Sequence, residues 1–174
     1  MDFLVINFII FVLIFILLII LSWVWPPDSP WAPWWRTDKK TARAICKLAK
    51  ITRSDLVYDL GCGDGTLIIT AAKDYGAKAV GIEIDPLRFL IARIRVLLNG
   101  LERKVKVRRK NFFHEDFSKA TIIVMYLVPK ALNQLLPKFK KELKKGTRIV
   151  SFRYEMNLKA NKEDKKNNLF LYKI

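Results

Sequence analysis

The run Asp55-Leu-Val-Tyr-Asp59-Leu-Gly61-Cys-Gly63-Asp-Gly65-Thr66, followed by a helix-like segment and then by Ala79-Val-Gly-Ile-Glu83-Ile-Asp-Pro86, decides the fold. An apolar run from Leu56 to Leu60 reads as a strand and stops in a loop with glycine at every second position. Such a loop lets the backbone turn sharply and approach a ligand closely. Thr66 to Tyr75 reads as a helix, and Ala79 to Ile84 as a second strand with Glu83 near its far end. A carboxylate at that place can accept hydrogen bonds from both hydroxyls of a ribose. The whole is a strand–helix–strand nucleotide half-site.

The glycine spacing and the residue before it narrow the nucleotide. A dinucleotide fold places its third glycine one position later, beside a pyrophosphate; here that position is Thr66. Asp59 lies two residues before the first glycine, where it would repel a pyrophosphate but pair with an ammonium. S-adenosylmethionine offers an ammonium and a ribose and has no phosphate. The Asp-x-Gly-x-Gly-x-Gly pattern with Glu83 beyond it resembles motifs I and II of the class I methyltransferases. A dinucleotide site and a glycine turn without a ligand are the alternatives.

With 174 residues the chain has room for one ordinary domain and an appendage. Residues 36–174 carry all 32 Lys and Arg and all but Asp2 and Asp28 of the 16 acids. That excess favours anionic surfaces, a phospholipid headgroup layer or nucleic acid, or serves solubility alone. Two cysteines, Cys46 and Cys62, make no disulfide framework and fit a reducing compartment.

From Phe3 to Trp25 the chain is almost unbroken Phe, Ile, Leu and Val. About 20 apolar residues span the hydrocarbon of a bilayer, so residues 1–25 read as one transmembrane helix. A cleaved signal peptide lacks support: no basic region precedes the run, the run is too long, and no small-residue cleavage site follows. Arg36, Lys39, Lys40, Arg43, Lys47 and Lys50 follow the span. By the positive-inside tendency the remainder faces the cytoplasm, or the matrix in a mitochondrion. Residues 26–36 form a Pro/Trp-rich linker; the wider segment 23–35 holds all five tryptophans and four of the seven prolines, a composition that settles at headgroup level. The domain is residues 37–174.

Thr37 is the expected N-cap of a helix over Asp38 to Lys50. Pro86 to Asn99 reads as a helix whose Phe89, Leu90, Ile94 and Leu97 should pack on the sheet while Arg88, Arg93 and Arg95 are solvated. Val105 to Arg109 is a third strand, and Ala120 to Tyr126 a fourth. A helix from Lys130 to Lys145 follows, interrupted by Pro137 and closed by Gly146. Arg148 to Tyr154 is a fifth strand, Asn157 to Asn168 a mobile loop, and Leu169 to Ile174 a last strand. Alternating strands and helices predict an α/β fold, a mainly parallel Rossmann-like sheet with helices on both faces. His114, the single histidine, reads as an exposed loop residue without a catalytic partner.

A membrane segment, a Pro/Trp linker, Asp59 to Gly65, Gly81 to Pro86, Asn111-Phe-Phe, Tyr126-Leu-Val-Pro129 and Gly146-Thr-Arg-Ile-Val-Ser151 occur in one order. Together they resemble the small membrane-anchored lysine methyltransferases whose animal members modify the ATP synthase c subunit and the adenine nucleotide translocase, with their prokaryotic relatives. The resemblance covers most of residues 33–154. It implies S-adenosylmethionine held by Asp59, Gly61, Cys62, Gly63, Asp64 and Gly65, its ribose by Glu83, and its adenine by Asn111 beside Phe112. It also implies Tyr126 as the catalytic side chain, with Leu127, Val128 and Pro129 on the substrate side, and no metal. Implied partners are a membrane, crossed once, and a lysine-bearing membrane protein; an anionic lipid surface is compatible and nucleic acid is not expected. The family usually has arginine where this chain has Thr66. Methyl transfer from a sulfonium needs alignment and exclusion of water, and a lysine of reference pKa about 10.4 must first lose a proton. The rival readings are a methyltransferase for a lipid, a quinone or RNA, and a non-catalytic, membrane-tethered module that binds the cofactor.

Overall fold

The computed structural model describes residues 3–24 and 37–174, with side chains described for 3–20 and 37–174. The linker 26–36 lies outside the described residues. The first element, α1 (Phe3–Val24), is a 22-residue helix, almost wholly apolar, whose described side chains are exposed on every side. At 1.5 Å per residue it is about 33 Å long, enough by length and composition to cross a bilayer.

The domain begins with α2 (Lys39–Leu48). Its N-cap is Asp38, whose carboxylate accepts from the Thr41 N–H at 2.7 Å, so the cap lies one residue beyond the expected Thr37. Then follow β1 (Leu56–Leu60), α3 (Thr66–Tyr75), β2 (Lys78–Glu83), α4 (Pro86–Leu98), β3 (Val105–Arg109), β4 (Ile122–Met125), α5 (Pro129–Glu142), β5 (Arg148–Phe152), β6 (Lys162–Asp164) and β7 (Leu169–Lys173). The strands form one sheet in the order β3-β2-β1-β4-β5-β7-β6. β1 to β5 are parallel, whereas β7 runs antiparallel to both β5 and β6. This is the expected Rossmann-like α/β sheet.

Alternation along each strand sends side chains to two cores. Val57, Val124 and Val150 meet Ile45 of α2, Ile68 of α3 and Ala92 of α4 on one face. Tyr58, Ile123 and Ile149 meet Leu132, Leu135 and Phe139 of α5 on the other. The strand order reverses between β1 and β4, and the crevice beyond the carboxyl ends at such a point is where open α/β sheets bind ligands.

Three expectations are corrected. The polar stretch 157–168 is not a plain loop: Lys162–Asp164 pairs with β7 as an edge strand, a place that demands no apolar side chains. α5 runs through Pro137 without a break and ends at Glu142, so Gly146 serves the turn before β5 instead. α4 presents the opposite face from the one expected. Ala92 and Val96 are its buried residues, and Leu90, Ile94 and Leu97 point outward.

Candidate active site

The site grows from the end of β1. The Gly61 and Cys62 N–H groups donate to the Ile82 carbonyl at 2.8 and 3.0 Å, folding the loop across the end of β2. Gly61, Gly63 and Gly65 have φ of +78°, +55° and +77°, which an L side chain adopts only with strain. A Cβ added at Gly61 or Gly63 would meet nothing, so these two face open space beyond the strand ends.

Glu83 ends β2 and ties the loop down. One carboxylate oxygen accepts from the Gly63 N–H at 2.8 Å, the other from the Ile84 and Asp85 N–H groups at 2.9 and 3.0 Å. A carboxylate offers about four acceptor sites, so room for a further donor remains. Asp59, one residue before the end of β1, is 8% exposed. Among the described residues its carboxyl has no hydrogen-bond or ion-pair partner. Burial, then the neighbouring Glu83 and Asp64 carboxylates, push its pKa up to about 8. A buried carboxyl that feels two other negative charges favours a cation beside it.

The other proposed cofactor contacts separate into backbone and side chain. Asp64 turns away from the strand ends: its carboxylate accepts from the Thr66 N–H at 3.1 Å and the Thr66 hydroxyl at 2.7 Å, and pairs with Arg95 at 2.6 Å. The Cys62 thiol points into the core, where burial pushes its pKa well up. A Cβ at Gly81 would come within 2.7 Å of its sulfur. The side chains of Cys62 and Asp64 are therefore held within the domain. Asn111 Oδ1 accepts from the Phe113 N–H at 3.0 Å and caps the short turn Phe112–His114. Phe112 is buried in the α5-side core, its ring 4.7 Å from that of Phe113.

Tyr126 follows the last residue of β4 and is half-buried. Its ring lies 4.8 Å from Phe152 and 6.3 Å from Tyr154, with the Arg153 guanidinium 5.6 Å away. Leu127 is fully buried and supplies core, while Val128 and Pro129 open α5 as N-cap and first turn. His114 is exposed, as expected.

Sequence reasoning missed Arg95. Its Nη1 donates to the Asp64 carbonyl at 2.7 Å and to the Thr66 hydroxyl at 3.0 Å, as well as pairing with the Asp64 carboxylate. A cation thus reaches the glycine loop from α4, beside the position where the resemblance leads one to expect arginine. The partners are 31 and 29 residues away in sequence, and no local pattern marks them.

Residues 59–163 match the ANTKMT methyltransferase domain. The chain belongs to the ANTKMT methyltransferase family. It is 39% identical to a protein-lysine N-methyltransferase of Saccharolobus islandicus, over 85% of this chain and 95% of that one. It is 30% identical to the lysine N-methyltransferase of the ATP synthase c subunit from Xenopus laevis, over 72% of this chain and 53% of that one. The human protein of that name is 31% identical over 66% and 48% respectively. The chain thus spans about half the length of these animal relatives. Among solved structures, an RNA methyltransferase from Salinibacter ruber bound to S-adenosyl-L-homocysteine superposes with a TM-score of 0.78 at 33% identity, covering 80% of this chain and 94% of that one.

As in the ANTKMT family generally, the cofactor is S-adenosylmethionine. The residues present fit it: a buried carboxyl without a partner among the described residues, suited to the ammonium, a glycine loop open beyond the strand ends, and a carboxylate with acceptor capacity for a ribose.

Proposed function

We propose that this chain is a membrane-anchored protein-lysine N-methyltransferase acting on a membrane-associated protein. Residues 1–25 are its span, 26–36 an interfacial linker and 37–174 the catalytic domain, on the cytoplasmic side or, in a mitochondrion, the matrix side. The observation that carries methyl transfer is the pair of carboxyls at the carboxyl ends of β1 and β2, Asp59 opposite Gly81 and Glu83 two residues further along β2, where Glu83 accepts from the Gly63 N–H of the glycine loop. Lysine as substrate is supported by the name of the Saccharolobus relative, whose length the chain nearly matches. A membrane-protein substrate is supported by α1 and by the names of the animal relatives.

In this reading Asp59 takes its charge as the ammonium arrives and holds it. The Gly61, Cys62, Gly63, Asp64 and Gly65 backbone cradles the methionine part, Glu83 accepts from the ribose hydroxyls, and Asn111 and Phe112 border the adenine. S-adenosylmethionine supplies a methyl on a sulfonium, a leaving group that needs no acid. Tyr126 stands where the amine would enter; its ring, Phe152 and Tyr154 exclude water, and Leu127, Val128 and Pro129 fix its backbone at the start of α5. No dedicated base is required, because an amine stripped of water beside a basic domain loses its proton more readily.

The test incubates purified protein and methyl-labelled cofactor with membranes lacking the enzyme and identifies the labelled species. Label on a lysine of a membrane protein, lost in Glu83→Ala together with cofactor binding, is the expected result. Undiminished cofactor affinity in Glu83→Ala removes the ribose role. The second reading, an RNA substrate, is favoured by the Salinibacter neighbour and by the net charge of +16. In the same experiment it would place the label in RNA, with binding that weakens steeply as salt rises.

A further inference from the structure

We infer that the outward face of α4 docks into the headgroup–acyl boundary of an anionic phospholipid bilayer, as a second membrane contact beside α1. The inference rests on the reading of α1 as a membrane span.

Leu87, Leu90, Ile91, Ile94, Leu97 and Leu98 recur at the three- and four-residue spacing of one helix face. A helix in a water-soluble domain turns such a stripe to the core. α4 does the reverse. It touches the sheet through Ala92 and Val96 and leaves the stripe in the open: Leu90 is 50% exposed, Leu97 60% and Leu98 79%. Ile84, just before the helix, extends the patch. A contiguous apolar surface of this kind marks an interaction site.

Charge and composition choose the occupant. α4 carries no acidic residue, and Arg88 and Arg93 border the stripe. β3, the sheet edge beside it, adds exposed Lys106 and also Arg108, which pairs with Glu115, and the groove between them is lined by Leu90, Ile94, Leu97, Lys106 and Arg108, with Glu102 as the one acid of its lining. Protein interfaces concentrate Tyr, Trp, Phe and Met at their centres. Here the centre is Leu and Ile and the border basic, the composition of a helix lying in a membrane surface with cations toward anionic headgroups. α1 itself comes close to α4, so the span brings the bilayer near this helix. Asp85, the N-cap of α4, comes two residues after Glu83, so a docked α4 holds the cofactor end of the sheet at the bilayer.

The experiment uses the full chain reconstituted into phospholipid nanodiscs, with a polarity-sensitive dye on Leu90→Cys or, at the opposite sheet edge, on Lys165→Cys. Cys46 and Cys62 are buried and stay unlabelled. In discs containing phosphatidylglycerol the dye at 90 should shift to the blue and be quenched several-fold more than the dye at 165 by lipids bearing a quencher near the headgroup. The shift should shrink in pure phosphatidylcholine. With the dye moved to Leu97→Cys, the added pair Leu90→Glu and Ile94→Glu, at exposed positions that leave the fold alone, should abolish it. Water-like emission at 90 from protein resident in discs overturns the docking and leaves the span standing. Failure of the chain to enter discs at all overturns the span, and the docking with it. A shift that follows protein concentration instead of lipid, with a dimer by mass, assigns the face to a second copy and overturns the inference.

Discussion

A carboxyl such as Asp59, pushed up to about 8, is largely protonated at neutral pH in the free protein. Its folded pKa lies above the unfolded value, so the folded state holds the extra proton between about 4 and 8, and stability falls as pH rises through that window. In the proposed role a bound ammonium favours the charged form of Asp59, so cofactor binding near pH 7 should release a proton. Calorimetric titration in buffers of different ionisation enthalpy should show that release in the wild type and none in Asp59→Asn. The variant should lose about 1.5–3 kcal/mol of cofactor affinity, roughly 10- to 100-fold, yet melt higher than the wild type at pH 8 without cofactor. Tight binding by Asp59→Asn with unaltered proton release would remove the ammonium role. The place of Asp59 at the strand end was legible because a short apolar run that stops at alternate glycines marks where the strand finishes. The side-chain directions of Cys62 and Asp64 were not, since a loop pattern fixes backbone dihedrals and leaves each side chain to its tertiary neighbours.

At the scale of elements, β2 crosses beneath the glycine loop at Gly81 with no space for a methyl group. A Cβ there would lie 2.7 Å from both Cys62 Sγ and Ile68 Cδ1. Overpacking of this kind costs about 1–3 kcal/mol, so Gly81→Ala should lower the denaturation midpoint by that amount and weaken cofactor binding by shifting the loop. Adding Cys62→Ala removes the sulfur and should restore part of both, a coupling that chemical denaturation and titration of the four proteins of the cycle would measure. α4 shows the limit of reading elements from periodicity. Its stripe predicted the helix to within a residue, but a stripe says only that one face is apolar, not whether protein or lipid receives it. β6 escaped because an edge strand is held by backbone pairing, and Lys162, Glu163 and Asp164 carry no apolar signal.

Across the whole molecule, the end of the sheet away from the site is gathered by one ion pair. Arg148 on β5 pairs with Asp55 just before β1 and donates to the Ala49 and Lys50 carbonyls after α2. Asp55 also accepts from the Thr121 hydroxyl at 2.8 Å and the Thr52 N–H at 2.8 Å. Although burial pushes the Asp55 pKa up, these hydrogen bonds and the guanidinium hold it below the usual carboxylate value. The stability it supplies is therefore present above its unfolded pKa and lost as pH falls through the folded one. Arg148→Ala leaves a buried carboxylate without its cation and should cost about 3 kcal/mol, lowering Tm on the order of 10 °C at pH 7. That deficit should shrink in acid, while cofactor affinity at neutral pH holds, since β1 sets the pair about 16 Å from the glycine loop. Thermal melts from pH 7 to 3 check both.

The strand order bears on how the chain is made. β7 sits between β5 and β6, and its Tyr172 is buried with its hydroxyl accepting from the Met156 N–H. The sheet therefore stays open beyond β5 until residues 169–173 have been synthesised, whereas α1 is complete after the first 24. Pairing of distant strands is slow, and open sheet edges invite aggregation. With α1 as the proposed span, a nascent chain meets that interval already held at a membrane surface, unable to tumble freely against other half-made copies.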